Sequence, residues 1–217
     1  MNKPFVIHGG RGTGSVVVEA ALTLLGLAYD VVEEPSLTSP NRADRAVAVN
    51  PMRQVPALVL PNGEILTESA AILIWLADSY PAGNLAPAVT DPGRAAFLRW
   101  MMFVSAQIYA LYWLRDDPSR VADAPEHQAM IRERTADRIA HCWEIMEAQV
   151  EPDPYILGEE LSVLDLYVTV LSRWGPRRRR FYAVAAKMAA VVRRVDADPR
   201  LVSLWAERFP FTNGWEG

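Results

Sequence analysis

The fold assignment starts from the stretch Asn50-Pro51-Met52-Arg53-Gln54-Val55-Pro56-Ala57-Leu58. Its apolar core, Val55 to Leu58, is interrupted by Pro56, which has no N–H to give to a sheet ladder. Two interpretations are open: an ordinary trans proline at the start of a strand, or a cis Val55–Pro56 bond in a tight turn. In the second, the N–H and C=O of Val55 point outward and can pair with an extended, peptide-like ligand.

The composition is that of a globular protein with a sizeable core. The chain has 217 residues, 51% of them hydrophobic and 22% charged, which allows one large or two small domains. A net charge of −4 does not favour nucleic acid or an anionic membrane as a partner.

The chain also carries no pattern typical of secretion or of a membrane span. The single cysteine, Cys142, excludes an internal disulfide and fits a reducing compartment. The N-terminus has no signal-peptide pattern. The longest uncharged run, 15 residues from Trp100 to Leu114, is shorter than the roughly 20 that a membrane helix needs. We therefore expect a cytoplasmic protein.

The first 80 residues alternate between strand and helix patterns. A strand, a crossover helix and a second strand form a βαβ unit with a parallel pair, and a hairpin and another helix follow. In order, the predicted elements are a strand at Phe5–His8, a helix at Val16–Leu25 with Ser15 as its N-cap, a strand at Tyr29–Glu33, a loop at 35–41, a weak helix at 42–49, strands at Ala57–Leu60 and Glu64–Leu66, and a helix at Ser69–Ser79.

Everything after residue 92 reads as helical. Residues 81–92, rich in proline, are the predicted linker. The predicted helices are Arg94–Arg115, expected to be largely buried, then Glu126–Val150, Phe181–Val195, and a last helix opened by Asp198-Pro199 and ending near Arg208. The sequence thus predicts a βαβ-ββα domain at 1–80, a linker at 81–92 and an all-helical domain at 93–217.

The loop Gly10-Arg11-Gly12-Thr13-Gly14 lies between the first strand and the first helix and imitates a dinucleotide-binding fingerprint. Its spacing is G-x-G-x-G rather than G-x-G-x-x-G, and only one βαβ crossover follows, which disfavours a nucleotide site. The N-terminus of the following helix favours anions, of which a thiolate is one. Thr13 and Ser15 lie at that helix N-terminus.

Glu68-Ser69 begins the helix that follows the hairpin, close to the strand that contains Pro56. An acidic residue and a cap stabilise any helix, so a purely structural role is one interpretation. In the other, free N–H groups at this helix N-terminus hold a carboxylate and Glu68 holds an ammonium. Together these groups suit the head group of an amino acid.

Three motifs in register resemble those of the soluble glutathione transferases. They are Gln54-Val55-Pro56-Ala57-Leu58, Glu68-Ser69-Ala70-Ala71-Ile72 and Ser162-Val163-Leu164-Asp165, and their order and spacing match over essentially the whole chain. The resemblance implies an α/β N-terminal domain of thioredoxin-like fold with a cis Pro56, and an all-α C-terminal domain that supplies most of the second-substrate pocket. It also implies a homodimer, glutathione as co-substrate and no permanently bound cofactor.

The same resemblance assigns roles to single residues. The backbone of Val55, beside Pro56, would pair with the cysteine unit of glutathione. The γ-glutamyl head would be held by Glu68 and Ser69, and the glycyl carboxylate would be reached by Arg53 or Gln54. Ser162 and Asp165 form a capping box, with Asp in place of the usual Glu, and are structural.

The catalytic position departs from the family patterns. No tyrosine follows the first strand, as it does in several animal classes, and Gly14 stands where the bacterial beta class carries a cysteine. The run from Asn50 to Pro56 is similar to that of the zeta class, but the Ser/Cys-rich stretch of that class is replaced here by Gly12-Thr13-Gly14-Ser15. We therefore expect the hydroxyl of Ser15, or that of Thr13, to hydrogen-bond the sulfur, with Arg11 adding charge.

One hydroxyl and a helix N-terminus are enough for this chemistry. Lowering a thiol pKa from about 8.5 by about 2 units takes about 2.7 kcal/mol. A hydrogen bond to a charged group contributes roughly 1.5–3 kcal/mol, and the helix N-terminus adds roughly 0.3–1 kcal/mol. No catalytic base is required.

The second substrate would be a small hydrophobic molecule, because the long helix offers apolar and aromatic side chains. Candidates for its pocket are Phe103, Tyr109 and Trp113, and core packing is the alternative for each.

The sequence therefore predicts a transferase that conjugates glutathione to an electrophile. A glutathione-dependent isomerase, a glutathione-dependent reductase and a non-catalytic relative of the same fold remain alternatives. The three histidines show no metal-binding spacing, so no metal is expected.

Overall fold

The structure is a computed structural model that describes residues 3–34, 49–175 and 178–210. The predicted loop at 35–41 and nearly all of the predicted helix at 42–49 lie outside the described residues. In the described ranges, the strands lie within the first 67 residues and helices follow. The predicted α/β half and helical half are therefore both confirmed.

A mixed sheet with strand order β2-β1-β3-β4 forms the first half. The central strand β1 pairs in parallel with β2 and antiparallel with β3, and β3 pairs antiparallel with β4. The strand bounds are β1 Phe5–Gly9, β2 Tyr29–Glu33, β3 Ala57–Val59 and β4 Ile65–Thr67. Compared with the prediction, β3 ends one residue earlier and β4 is shifted one residue toward the C-terminus. The reason is that Leu60 belongs to the turn, where its N–H donates to Glu64 O at 2.8 Å.

Two helices belong to this half, α1 at Ser15–Leu24 and α2 at Ser69–Ser79. The N-terminal part of α1, from Ser15 to Leu22, is fully buried, because β1 and α2 contact it on one side and a helix of the second half on the other. A helix enclosed in this way brings its N-terminus into the boundary between the two halves.

The helix predicted at Arg94–Arg115 is a continuous but irregular rod. It consists of α3 at Arg94–Phe103, a π-helical segment at Val104–Tyr109 and α4 at Ala110–Asp116. π-helical segments are rare and are frequently found at functional sites. The expectation that this rod is largely buried was wrong, since Leu98, Met102 and Trp113 are exposed.

The remaining helices are α5 at Pro125–Glu147, α6 at Val163–Ser172, α7 at Arg178–Val184, α8 at Ala186–Asp196 and α9 at Val202–Arg208. The predicted single helix at Phe181–Val195 is two helices, because the backbone leaves helical geometry at Ala185, with φ −137° and ψ 58°. The last helix begins at Val202 rather than at Pro199. The Asp198 carboxylate accepts the N–H of Arg200 in a turn instead of capping a helix.

The capping box at the start of α6 is present as predicted. The carboxylate of Asp165 accepts the N–H of Ser162 at 2.8 Å and that of Ile156 at 2.8 Å. Asp165 itself has no exposed surface. It therefore fixes the chain that leads into α6, the most deeply buried helix of the second half.

None of the helices within the described ranges is long and apolar enough to span a bilayer. Across those same ranges, no group of three or more His, Cys, Asp or Glu side chains is placed to hold a metal ion.

Candidate functional site

A cavity of about 1050 Å³ lies between the sheet half and the helical half. Its wall on the sheet side comes from the loop at 10–14 that precedes α1, called the α1 loop below, and from the starts of β3 and α2. Its opposite wall comes from the π-helical segment, α4 and the end of α6. The predicted site residues that line it are Thr13, Arg53, Gln54, Val55, Pro56, Glu68, Ser69, Tyr109 and Trp113.

Three predicted residues lie away from this cavity lining: Arg11, Ser15 and Phe103. Arg11 is exposed. Phe103 is partly buried and packs edge-on against Trp100, with ring centroids 5.3 Å apart. Ser15 is fully buried. The structure therefore brings the strand and α2 residues together as predicted, and separates these three from them.

The start of β3 presents the first wall. The Val55–Pro56 bond is cis, the second of the two alternatives left open by the sequence. Asn50 holds the preceding turn, because its side chain donates to Gln54 O at 2.9 Å and accepts the N–H of Met52 at 3.0 Å. No role was predicted for Asn50 within the opening stretch, although an Asn-Pro pair that opens a turn is a recognisable signal.

The start of α2 presents the second wall. Glu68 has a φ of 64°, a conformation that a non-glycine residue adopts only when its surroundings impose it. The next residue, Ser69, is buried, and its hydroxyl is 2.8 Å from that of Tyr167 in α6. The helical half therefore fixes the residue that follows the strained Glu68.

The α1 loop presents the third wall, and here the prediction about Ser15 needs correction. Ser15 is not the N-cap but the first residue of α1, and Gly14 precedes it. Its hydroxyl donates to Glu19 Oε1 at 3.1 Å and accepts the N–H of Gly10 at 3.1 Å. The Ser15 side chain is therefore hydrogen-bonded to the carboxylate one turn further along α1 and does not line the cavity.

Thr13 borders the cavity but is tied into its own loop. Its hydroxyl donates to Gly10 O at 2.7 Å, lies 3.0 Å from the Ser15 hydroxyl and accepts the N–H of Ser15 at 3.2 Å. The glycine between Arg11 and Thr13 has a φ of +69°, which a side chain rarely tolerates. The loop is thus braced from within.

The helical half also holds this loop, through residues that the sequence did not single out. Arg208, at the end of α9, donates through Nε to Glu19 Oε2 at 2.7 Å, and its carbonyl accepts the N–H of Gly12 at 2.9 Å. Trp174 donates through Nε1 to Gly12 O at 2.7 Å. Only the fold reveals these contacts, since 189 residues separate Glu19 from Arg208.

Tyr109, the last residue of the π-helical segment, reaches the α1 loop, where its phenol oxygen packs against Gly14. Its ring packs edge-on against Trp174 and Tyr167, with centroid distances of 4.9 and 6.1 Å. Its hydroxyl lies 3.5 Å from Val55 O. Burial raises the pKa of Tyr109, and the nearby Tyr167 and Glu68 add to this effect. The phenol is therefore a neutral hydrogen-bond donor at ordinary pH.

The outer end of the cavity is aromatic and charged. Trp113 is 46% exposed, and the guanidinium of Arg120 lies 4.6 Å above its ring and donates to its backbone carbonyl. Burial raises the pKa of Asp116, which also lines the cavity. A ligand at the entrance would meet the Trp113 ring together with the Arg120 guanidinium that lies over one of its faces.

The chain is similar to known proteins over most of its length. A family model for the N-terminal domain of glutathione S-transferases matches residues 15–79. The uncharacterized GST-like protein YncG of Escherichia coli strain K12 is 31% identical over 197 residues, which cover 90% of this chain and 94% of that protein.

Solved structures give the same result. A glutathione transferase homologue from Sulfitobacter with bound glutathione matches with a TM-score of 0.82 and 26% identity, over 94% of this chain and 97% of that one. A beta-class glutathione S-transferase from Sphingomonas chungbukensis matches with a TM-score of 0.78, over 95% and 100% of the two chains. At 23% identity, this second likeness concerns the fold alone.

Proposed function

The chain belongs to the glutathione S-transferase family, and on that premise we propose that it conjugates the thiolate of glutathione to a small hydrophobic electrophile. The observation that carries the proposal is that the Val55 backbone, the N-termini of α1 and α2, and the aromatic residues of the helical half line one and the same cavity. A peptide and an apolar molecule can bind there side by side.

The first three walls suit the parts of glutathione. The N–H and C=O of Val55 would pair with the backbone of its cysteine unit. Glu68 and Ser69 would hold the γ-glutamyl ammonium and carboxylate, since a carboxylate and a helix N-terminus complement those charges. Arg53 or Gln54 would reach the glycyl carboxylate. The Sulfitobacter homologue with bound glutathione supports the choice of ligand.

The sulfur would then lie at the N-terminus of α1. Partial positive charge there stabilises an anion, and a hydroxyl hydrogen bond adds to it. Thr13 is the member of the predicted Ser15/Thr13 pair that borders the cavity. In the reaction, the thiol proton leaves to solvent and a sulfur lone pair forms the new C–S bond. The leaving group departs with the electron pair of the bond that breaks.

The electrophile would bind against Tyr109 and Trp113. Phe103 is removed from this proposal because it packs against Trp100 rather than on the cavity wall. The aromatic side chains suit a planar hydrophobic molecule, and Asp116 and Arg120 border them. We propose no resident cofactor, since the reacting sulfur comes from glutathione itself.

Three further expectations remain part of the proposal: the domain bounds 1–80, 81–92 and 93–217, a cytoplasmic location, and a homodimer. Leu98 and Met102 on α3 are exposed apolar side chains that an association between copies would cover. Sedimentation velocity of the purified chain tests it, with a single species of dimer mass expected.

Turnover of an activated aryl chloride with glutathione tests the main proposal. We expect glutathione to be consumed as the aryl thioether and chloride form. With its own substrate, an isomerase would leave glutathione unchanged. A reductase, given a disulfide or peroxide as the oxidant, would produce oxidised glutathione. A chain that binds glutathione in calorimetry but shows none of these reactions would be a non-catalytic relative.

The Glu68→Gln variant tests the assignment of the γ-glutamyl site. It removes a charge that would face the ammonium, so KM for glutathione should rise about tenfold or more, the equivalent of a hydrogen bond to a charged group. Glu64→Gln is the matched control, because Glu64 is exposed in the hairpin turn and lies off the cavity. Equal KM values for the two variants would contradict the assignment.

A further inference from the structure

The hydroxyls of Thr13 and Ser15, which were predicted to bond the sulfur, already donate their protons to other acceptors. A serine or threonine hydroxyl donates one hydrogen bond. That of Thr13 is directed to Gly10 O at 2.7 Å. The hydroxyl of Ser15 is directed to Glu19 Oε1 at 3.1 Å, and Ser15 itself has no exposed surface. Either residue would have to break a bond within the loop to reach the sulfur.

A different hydroxyl lies at the N-terminus of α1. A Cβ added to Gly14 would overlap the phenol oxygen of Tyr109 and lie 2.8 Å from its Cζ. The same oxygen is 3.5 Å from Val55 O. Tyr109 therefore fills the space of a side chain at position 14, between the first turn of α1 and the carbonyl that would pair with the cysteine unit.

We propose that Tyr109, supplied by the π-helical segment of the helical half, donates the hydrogen bond that holds the glutathione sulfur. This rests on the proposed function, since it names a residue for that reaction. Tyr109 would be a catalytic residue in contact with the reacting sulfur. Thr13 and Ser15 would be positioning residues that brace the α1 loop.

The long contact with Val55 O leaves the phenol proton available. A donor–acceptor distance of 3.5 Å lies beyond the usual range for a hydroxyl donor, so turning this proton toward a sulfur anion costs little. The Val55 carbonyl is then free to accept the N–H of the cysteine unit.

The surroundings of Tyr109 keep it in place and protonated. Trp174 and Tyr167 pack against its ring, so the hydroxyl is held without a strong hydrogen bond of its own. Because burial raises the pKa of Tyr109, the phenol keeps its proton and the thiol proton leaves to solvent. The residue thus acts as a donor to the thiolate and not as a base.

The test compares Tyr109→Phe with the wild-type chain by titrating bound glutathione. The ultraviolet absorbance of the thiolate in the binary complex gives the thiol pKa without any turnover. We expect the pKa to rise by about one to two units and kcat/KM near neutral pH to fall about tenfold to a hundredfold, the equivalent of one hydrogen bond to a charged group. Glutathione binding in calorimetry verifies that the variant is folded.

Tyr29→Phe is the matched control. It also removes a bonded phenol oxygen, 3.1 Å from Thr23 Oγ1, but lies in β2 outside the cavity. Its bound thiol should titrate as in the wild type. If Tyr109→Phe does not fold, the same titration of Gly14→Ala decides, because the added Cβ displaces the hydroxyl and should also raise the thiol pKa.

The outcomes separate this inference from the proposed function. An unchanged thiol pKa in Tyr109→Phe, in a wild type that conjugates glutathione, overturns the role of Tyr109 and leaves the transferase intact. A raised pKa in Thr13→Ala alone returns the role to Thr13. A wild type that binds no glutathione overturns both.

Discussion

Gly14 and Tyr109 share one space, because the phenol of Tyr109 lies where a side chain at position 14 would project. The backbone of Gly14 is ordinary, with φ −65° and ψ −9°, so its conformation does not require glycine. Glycine is required at position 14 because Tyr109 approaches its Cα so closely that a Cβ would overlap the phenol. Two residues far apart in the chain therefore depend on each other.

The first prediction concerns this pair. Gly14→Ala should lower the free energy of unfolding by about 1–3 kcal/mol, the usual cost of overpacking, because the tip of a packed ring must move. Adding Tyr109→Phe should recover part of that loss, since Phe lacks the overlapping oxygen. Urea unfolding of both single variants and the double variant gives the coupling energy.

Gly10→Ala is the control for this cycle. A Cβ at Gly10 would lie 3.5 Å from the nearest atom, a methyl group of Thr13, which is ordinary van der Waals contact. It should change stability by less than Gly14→Ala does. Additive effects of Gly14→Ala and Tyr109→Phe would show that the two residues do not compete for space.

The second prediction concerns the hydroxyls of the α1 loop. Thr13→Ala should cost about 0.5–1.5 kcal/mol of stability, the net value of an internal hydrogen bond. Ser15→Ala should cost about 1–3 kcal/mol, because it leaves the buried N–H of Gly10 without its acceptor. Neither should move the pH profile of turnover, because each hydroxyl donates within the loop. A shift of that profile in either variant would support a direct hydroxyl–sulfur contact instead.

The sequence predicts most of the fold, because the relevant signals are local. The alternation of strand and helix, the hairpin and the Ser162–Asp165 capping box each depend on neighbours within a few positions, and all of them appear in the structure. Helix ends were less well predicted. The break at Ala185 has no strong signal in the sequence.

The site was only partly predictable, for a physical reason. Val55, Glu68 and Ser69 follow from motifs, whereas the environment of Ser15 is set by Glu19 and by the distant Arg208. The π-helical segment is equally hidden, since nothing in Val104–Tyr109 distinguishes it from an α-helix. The residues that decide the chemistry at α1 therefore come from long-range packing.

The third prediction concerns the ion pair that joins α9 to α1. The side chains of Arg208 and Glu19 are 7% and 1% exposed. Removing one partner of a buried pair costs about 3–5 kcal/mol, because a charge is left uncompensated. Arg208→Leu should therefore destabilise the chain by about that amount in urea unfolding.

The double variant Arg208→Leu with Glu19→Leu distinguishes charge from packing. It removes both buried charges, so its cost should be smaller than the sum of the two single costs. Arg200→Leu is the control, since the arginine of the Arg200–Asp198 pair is 58% exposed, although its partner is 9% exposed, and pairs that solvent reaches contribute about 0–1 kcal/mol. Equal costs for Arg208→Leu and Arg200→Leu would contradict the prediction.

The last prediction concerns Asp165 in the capping box of α6. Its carboxylate accepts hydrogen bonds from Ile156 N, Ser162 N and Ser162 Oγ at 2.7–2.8 Å. An Asn side chain can accept through only one atom, so Asp165→Asn leaves buried donors unpaired. We expect a loss of about 1–3 kcal/mol in urea unfolding. Asp30→Asn, at an exposed position in β2, should change stability little.

The pH dependence of that loss has a definite sign. Burial raises the pKa of Asp165 from 3.8 to about 6, against the lowering effect of its hydrogen bonds. Between those values the folded chain binds a proton that the unfolded chain has released, so this group's contribution to stability falls as pH rises from about 4 to about 6. The stability advantage of the wild type over Asp165→Asn should therefore be larger at pH 4 than at pH 7, by up to about 3 kcal/mol. An advantage that grows as the pH rises would mean that the three hydrogen bonds outweigh burial and keep Asp165 ionised.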